Sequence, residues 1–219
     1  MSRTVITIAR QIGSGGEEIA SELAQALGVQ LIERQIIEAA ASAAGVSADT
    51  IAQAEKVPSL LERMLEYLGQ HAGGLDPVGD FSMEGAVTAG AFNPAMTTEG
   101  YRQLIEDVLR RTATESDAVI VAHGGNVVLR EVPYVLKVMI CAPVRVRSQR
   151  LQEMEHISAE EAEKRVRDDD KQRIDYFQTY YKVNWVNPAL YDLTVNTNRI
   201  DTQTAVNLIR SAQTKFSQG

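Results

Sequence analysis

Residues 10–16 read Arg-Gln-Ile-Gly-Ser-Gly-Gly, between an apolar run at 4–9 and a helical pattern that starts at Glu17. Glycines this closely spaced let the backbone turn so that several N–H groups converge at the positive end of the next helix, which suits a phosphate. Gly13, Ser14, Gly15 and Gly16 are therefore the candidate phosphate-holding residues. Two motifs compete for the segment. The dinucleotide pattern G-x-G-x-x-G is met at Gly13 and Gly15, with Glu33 at a suitable distance for a ribose contact, but Glu18 stands where its third glycine belongs. The phosphate-loop pattern G-x-x-x-x-G-K-S/T is met at Gly15, with Arg10 for its first glycine, Gly16 for its lysine and a glutamate for its hydroxyl residue.

A second source of chemistry is the basic group Arg145, Arg147, Arg150, Lys164, Arg165, Arg167, Lys171 and Arg173, in a chain whose net charge is −7. Glu153, Glu155, Glu160, Glu161, Glu163 and the acidic run 168–170 interleave with it, so most of these cations are expected to be solvated helix pairs. Phosphoryl transfer nevertheless needs cations around the developing charge, and arginine offers a planar fork that keeps its proton. A few are therefore expected to meet phosphate. Glu33 and His123 each follow an apolar run, where an open α/β sheet has its crevice, and each is open to an acceptor-binding or a purely structural role. His71, His156 and Cys141 have no metal-ligand spacing, so no zinc site is expected.

These groups must be positioned by alternating elements. A strand at 4–9 leads through the glycines to a helix on Ile19, Ala20, Leu23, Ala24 and Leu27, stopped by Gly28. A short strand at 29–32 and a helix through Ile36, Ile37, Ala40 and Ala44 follow. Runs 118–122 and 135–141 read as strands buried on both faces, which implies a parallel sheet. A charged helical region is expected at 145–181, a last strand at 191–196 and a closing helix through Ala205, Leu208 and Ile209. The middle differs in kind: Leu60, Leu61, Met64, Leu65 and Leu68 mark an amphipathic helix, and 71–100 has little periodicity, as expected of a long loop or mobile insert. Tyr176, Phe177, Tyr180, Tyr181 and Trp185 read chiefly as a packing cluster.

The opening Ile6-Thr7-Ile8-Ala9-Arg10-Gln11-Ile12-Gly13-Ser14-Gly15-Gly16 resembles the I-T-I-S-R-x-x-G-S-G-G of the cytidylate kinase-like proteins, relatives of the P-loop nucleoside monophosphate kinases. The likeness continues through Ile19-Ala20, Leu23-Ala24, residues 119–124 (V-I-V-G-R-G in the family), and Tyr191-Asp192-Leu193 with Asn196-Thr197. It implies a three-layer α/β P-loop kinase fold with a central parallel sheet, a helical lid at about 145–185 and an acceptor-side helical and loop insert at about 45–100, in one domain spanning 1–219. It also implies ATP and Mg²⁺ as cofactors, with ATP phosphates on the first loop and a nucleoside monophosphate such as CMP opposite. Arg10 is then expected to stand in for the absent lysine, with Arg165, Arg167 and Arg173 neutralising the transferred group. Arg147 and Arg150 would lie along ATP; Glu33, His123, Asp170 and Arg173 would meet the acceptor, the last two by likeness to the D-R-x-R of cytidylate kinases; and Glu18 would hold Mg²⁺.

Departures from the family pattern are concentrated at charge. Glu17 stands where the family usually has a basic residue, and His123 replaces the Arg of its G-R-G. A carboxylate ~5 Å from a phosphate charge is repelled by about 3 kcal/mol at an effective dielectric near 20. A non-catalytic ligand-binding module on the same fold is therefore a rival expectation, and a nicotinamide oxidoreductase a weaker one. With 219 residues, 44% hydrophobic and 23% charged, the chain has globular composition and enough length for a substantial core. The acidic balance argues against a nucleic acid polymer or an anionic membrane as partner, and no run is apolar enough to span a bilayer. A single cysteine fits a cytoplasmic protein; a homo-oligomer is allowed but not required.

Overall fold

The computed structural model describes residues 3–54 and 98–216. The expected helix at 60–68, most of the loop at 71–100 and His71 lie outside the described residues. Five strands, β1 (Val5–Arg10), β2 (Gln30–Ile32), β3 (Ala118–Val121), β4 (Val135–Cys141) and β5 (Leu193–Asn196), form one sheet in the order β2-β3-β1-β4-β5. Every pair is parallel; β1 lies between β3, Val5 opposite Ala118, and β4, Val5 opposite Val135.

Around the sheet stand α1 (Gly16–Leu27), α2 (Arg34–Ala44), α3 (Ala48–Ala54), α4 (Thr98–Glu115), α5 (Gly125–Val128), α6 (Val144–Glu155), α7 (Ala159–Tyr181) and α8 (Thr202–Phe216). Strand alternation explains the layers. Ile6 and Ile8 of β1, with Val119, Leu136, Val138 and Val195, bury against Ile19 and Leu23 of α1 and Val206 and Ile209 of α8. Val5, Ala118, Ile120 and Val135 face the other way, onto Ile36 and Ala40 of α2 and Ile105 and Leu109 of α4. Both faces are thus covered, as the unbroken apolar runs of the inner strands require.

Helix limits follow local chemistry. Gly28 and Gly45 end α1 and α2 in the left-handed region, φ 66° and 68°, where no Cβ penalty applies. The charged region expected as one stretch is two helices. His156 caps α6 at φ 57°, and the Ser158 hydroxyl accepts a hydrogen bond from the Glu161 amide to start α7. Leu151 of α6 then packs on Ala162 and Val166 of α7, fixing the pair together.

Parallel strands bring their C-terminal ends to one edge. There the β1–α1 loop, Glu33, the turn Ala122-His123-Gly124, Pro143 and Thr197 assemble from five separate stretches. The chain passes from β1 to β2 on one side and, after β3, crosses to β4 on the other side of β1, so this edge carries the crevice expected at a topological switch point.

Candidate functional site

Directly after β1 the chain makes the loop foreseen from its glycines. Gly13 and Gly15 adopt φ +72° and +77°, and Gly15 caps α1. Close approach explains Gly13: a Cβ there would lie 2.6 Å from the Arg147 carbonyl oxygen, a backbone atom of α6. Early amides of α1 have no intrahelical acceptor, as at any helix start, and Ser14 is fully buried with its hydroxyl unpartnered among the described residues. The Ser14 amide itself donates to the Gln11 carbonyl at 3.1 Å, so the donors left for a ligand are the Ser14 hydroxyl and the first amides of α1.

Arg10 supplies the charge. A Cβ on Gly16 would approach the Arg10 Cβ to 2.7 Å, so glycine at the motif's lysine position leaves room for the Arg10 side chain. Its Nη2 lies 2.5 Å from Glu17 Oε1 and 2.9 Å from Glu33 Oε1. The motif's spacing, counted from Gly15, also sets Glu17 at its hydroxyl position, with Glu18 exposed one residue beyond.

The loop is braced from the α6 side. Arg147, 1% exposed, donates through Nε to the Ala142 carbonyl at 2.9 Å and through Nη1 and Nη2 to the two oxygens of Asp170 at 3.0 and 2.6 Å. Arg150 donates to the Thr197 hydroxyl and carbonyl at 2.9 and 2.8 Å and approaches the Ser14 carbonyl at 3.3 Å. Thr197 in turn donates to the Ser14 carbonyl at 2.7 Å. Arg147 and Asp170, expected at ATP and the acceptor, are thus turned toward each other. Asp170 sits one helical turn beyond Val166, whose side chain is buried against α6, so it faces α6.

Next to Arg10 opens a cavity of about 510 Å³. Arg10, Glu33, His123 and Arg173, four residues singled out from the sequence, line it; Arg34, Asn126, Asp169 and Gln172 line it without having been singled out. Asp169, Gln172, Arg173, Tyr176 and Phe177 recur at helical spacing, so the periodicity of α7 could have found this wall. Arg173 donates to Asp169 at 2.9 Å and lies 5.7 Å over the Trp185 ring. Phe177 stacks on Trp185 with centroids 6.0 Å apart. The aromatic cluster is therefore packing on one side and cavity wall on the other.

Glu33 and His123 meet as well, His123 Nε2 lying 2.7 Å from the Glu33 carbonyl oxygen. Ala122 and His123 hold positive φ, 66° and 54°, a strain of the kind retained where a turn must aim a side chain. Behind them Tyr181, whose hydroxyl burial pushes up to about 12, leaves only 3.3 Å for a Cβ on Gly124. Arg165 and Arg167 stand apart from the cavity, paired with Glu155 and Glu163 on the exposed face of α7. Burial raises the Cys141 thiol, so it is not a poised nucleophile.

Among the described residues no helix is long and apolar enough to cross a membrane, and no group of three or more His, Cys, Asp or Glu is placed to hold a metal ion. An oxygen site for Mg²⁺ would draw on Ser14 or Glu18 together with ligand phosphates, which fits an ion that takes one or two protein oxygens and keeps several waters.

Comparison with known proteins supports this architecture. The curated cytidylate kinase of Methanopyrus kandleri is 30% identical over 77 residues, covering 35% of this chain and 40% of that enzyme, so the match spans about two fifths of the relative. An uncharacterized protein from Eubacterium ventriosum superposes with TM-score 0.64 at 18% identity, over 97% of this chain and 99% of the other. A gluconokinase from Sinorhizobium meliloti gives TM-score 0.51 at 12% identity, over 98% and 94%. These likenesses establish the P-loop kinase fold. The sequence pattern of the cytidylate kinase-like family matches residues 5–199, which takes in the glycine loop, Glu33, His123 and both helices of the basic region, and the chain belongs to that family.

Proposed function

We propose that the chain is an ATP-dependent phosphotransferase whose acceptor is a nucleoside monophosphate of the CMP type. The observation that carries this reading is the adjacency of the glycine loop, with its buried unpartnered Ser14 hydroxyl, to a cavity that shares Arg10 with it. The amides of Gly13, Gly15 and Gly16 and the Ser14 hydroxyl hold the donor phosphates, and Arg10 supplies the cation that the loop otherwise lacks. Arg173 and Arg34 hold the acceptor's phosphate, while Tyr176, Phe177 and Trp185 offer a flat apolar wall for a base. Glu33 and His123, just past the C-terminal ends of β2 and β3, meet its polar edge. Transfer then needs positioning and charge neutralisation, with no protein nucleophile: an acceptor phosphate oxygen bonds to the terminal phosphorus as ADP leaves. Ser14 or Glu18 would offer protein oxygens to a Mg²⁺ bound with ATP, which would supply screening of the phosphate charge. Arg147 and Arg150 act at one remove by holding the loop in shape. Arg165 and Arg167 reach the site only when the start of α7 swings over it, exchanging Glu155 and Glu163 for phosphate.

The test is ADP release with MgATP and a panel of acceptors. CMP-dependent release at least tenfold above the acceptor-free rate is expected, and a sugar or sugar-acid acceptor outperforming every nucleotide would replace the acceptor assignment. A second reading, a ligand-binding module without turnover, is favoured by one contact, Glu17 on Arg10. That reading predicts nucleotide binding with no ADP release from any acceptor.

A further inference from the structure

Arg10 joins the two halves of the site, and both of its carboxylate partners are on one nitrogen: Glu17 from the first turn of α1 and Glu33 from the end of β2. Its Nε has no partner among the described residues. A polyphosphate seated on the loop would share this guanidinium with both carboxylates, and three anions around one cation repel one another, so the less firmly held carboxylate is the one to give way. Glu33 is the fixed one. Its amide donates to the Gln35 side chain at 2.9 Å and its carbonyl lies 2.7 Å from His123 Nε2. The Glu17 carboxylate stands on the first turn of α1 with its side chain 66% exposed, against 41% for Glu33, so water is ready to solvate it when it leaves Arg10.

Resting on the phosphate-loop reading above, we infer that Glu17 is a specificity-determining residue: a tethered carboxylate that competes with polyphosphate for Arg10 and makes the loop discriminate against metal-free ligand. Fully ionised tripolyphosphate carries more negative charge than its magnesium complex, so repulsion from Glu17 weighs most on the metal-free form. A divalent cation lowers that repulsion and gives the displaced carboxylate an opposite charge to face. The two effects act in the same direction. Solvent exposure of Glu17 screens the interaction, which sets the expected discrimination at about tenfold.

The probe is inorganic tripolyphosphate, titrated calorimetrically at fixed ionic strength with excess EDTA or with Mg²⁺, into the wild-type chain, Glu17→Gln and Glu22→Gln. Glu22 lies on α1 beyond the first turn and controls for the simple loss of one charge. Glu17→Gln is expected to bind metal-free tripolyphosphate about tenfold more tightly and the magnesium complex within threefold of wild type, with Glu22→Gln within twofold throughout. Glu17→Ser serves as the second variant should the glutamine protein fold poorly. Unchanged or weaker metal-free binding in the Glu17 variants, or equal gains with and without Mg²⁺, overturns the inference while leaving the phosphate loop in place. Failure of every protein to bind tripolyphosphate or ATP under either condition overturns the loop reading together with it.

Discussion

Arg147→Ala is expected to cost about 3 kcal/mol of folding stability, read as a lower denaturant midpoint at unchanged slope. The size follows from what the side chain leaves behind. Its guanidinium satisfies the Ala142 carbonyl and both oxygens of Asp170, and it approaches the Ile12 carbonyl in the loop. Removing it orphans buried acceptors and a carboxylate that is only partly solvated, its side chain 23% exposed. Replacing both partners, Arg147→Met with Asp170→Leu, removes the stranded charge and is expected to recover at least half of the loss. A double variant as unstable as the sum of its two single variants would show that the pair does not act as a unit. Because the same side chain links α6, α7 and the glycine loop, Arg147→Ala is also expected to raise the dissociation constant for MgATP without removing any residue from the cavity.

Gly13→Ala should be the most damaging small change in the loop. Its Cβ would sit 2.6 Å from a backbone oxygen of α6, at φ +72°, and a helix backbone has no side-chain rotamer with which to yield. The loop must shift instead, so MgATP affinity should fall at least a hundredfold, with about 2–4 kcal/mol of stability lost. Gly15→Ala makes the internal comparison. It has φ +77° but open space around the added methyl, so only the left-handed penalty of about 1–2 kcal/mol applies. Equal losses of affinity in the two variants would mean that the tight approach of α6 has no part in shaping the loop.

Much of this architecture was legible because it is written in local pattern. Two apolar runs, at β3 and β4, announced strands covered on both faces, and with β1 between them they form the centre of the sheet. Gly13 to Gly16 marked the strand-to-helix turn for the same reason that they make it: positive φ and room for neighbouring atoms. Long-range pairing was harder to read. Nothing near Arg147 in sequence says that its partner is Asp170 rather than a nucleotide, since the contact depends on how α7 folds back on α6. The break between those helices did have a signal, Ser158 three residues before Glu161, a helix-start pairing inside a charged stretch that otherwise reads as continuous. Arg34 and Asn126 carried no such mark. Each is an ordinary residue at a helix start, brought to the cavity by strand order alone.

Charge was the subtlest matter. In the sequence Glu17 is a repulsive residue at a phosphate loop; in the fold it is also the ligand of the loop's own cation. The cost foreseen for it is thus divided between repelling an incoming anion and releasing Arg10.

The most direct measurement is a crystal structure with Mg²⁺ and a non-hydrolysable ATP analogue. Phosphate oxygens should lie on the amides of Gly13, Gly15 and Gly16 and on the Ser14 hydroxyl, with the Arg10 guanidinium turned from Glu17 onto them. An analogue bound elsewhere, with Arg10 still paired to Glu17 and the loop amides facing solvent, would contradict the account.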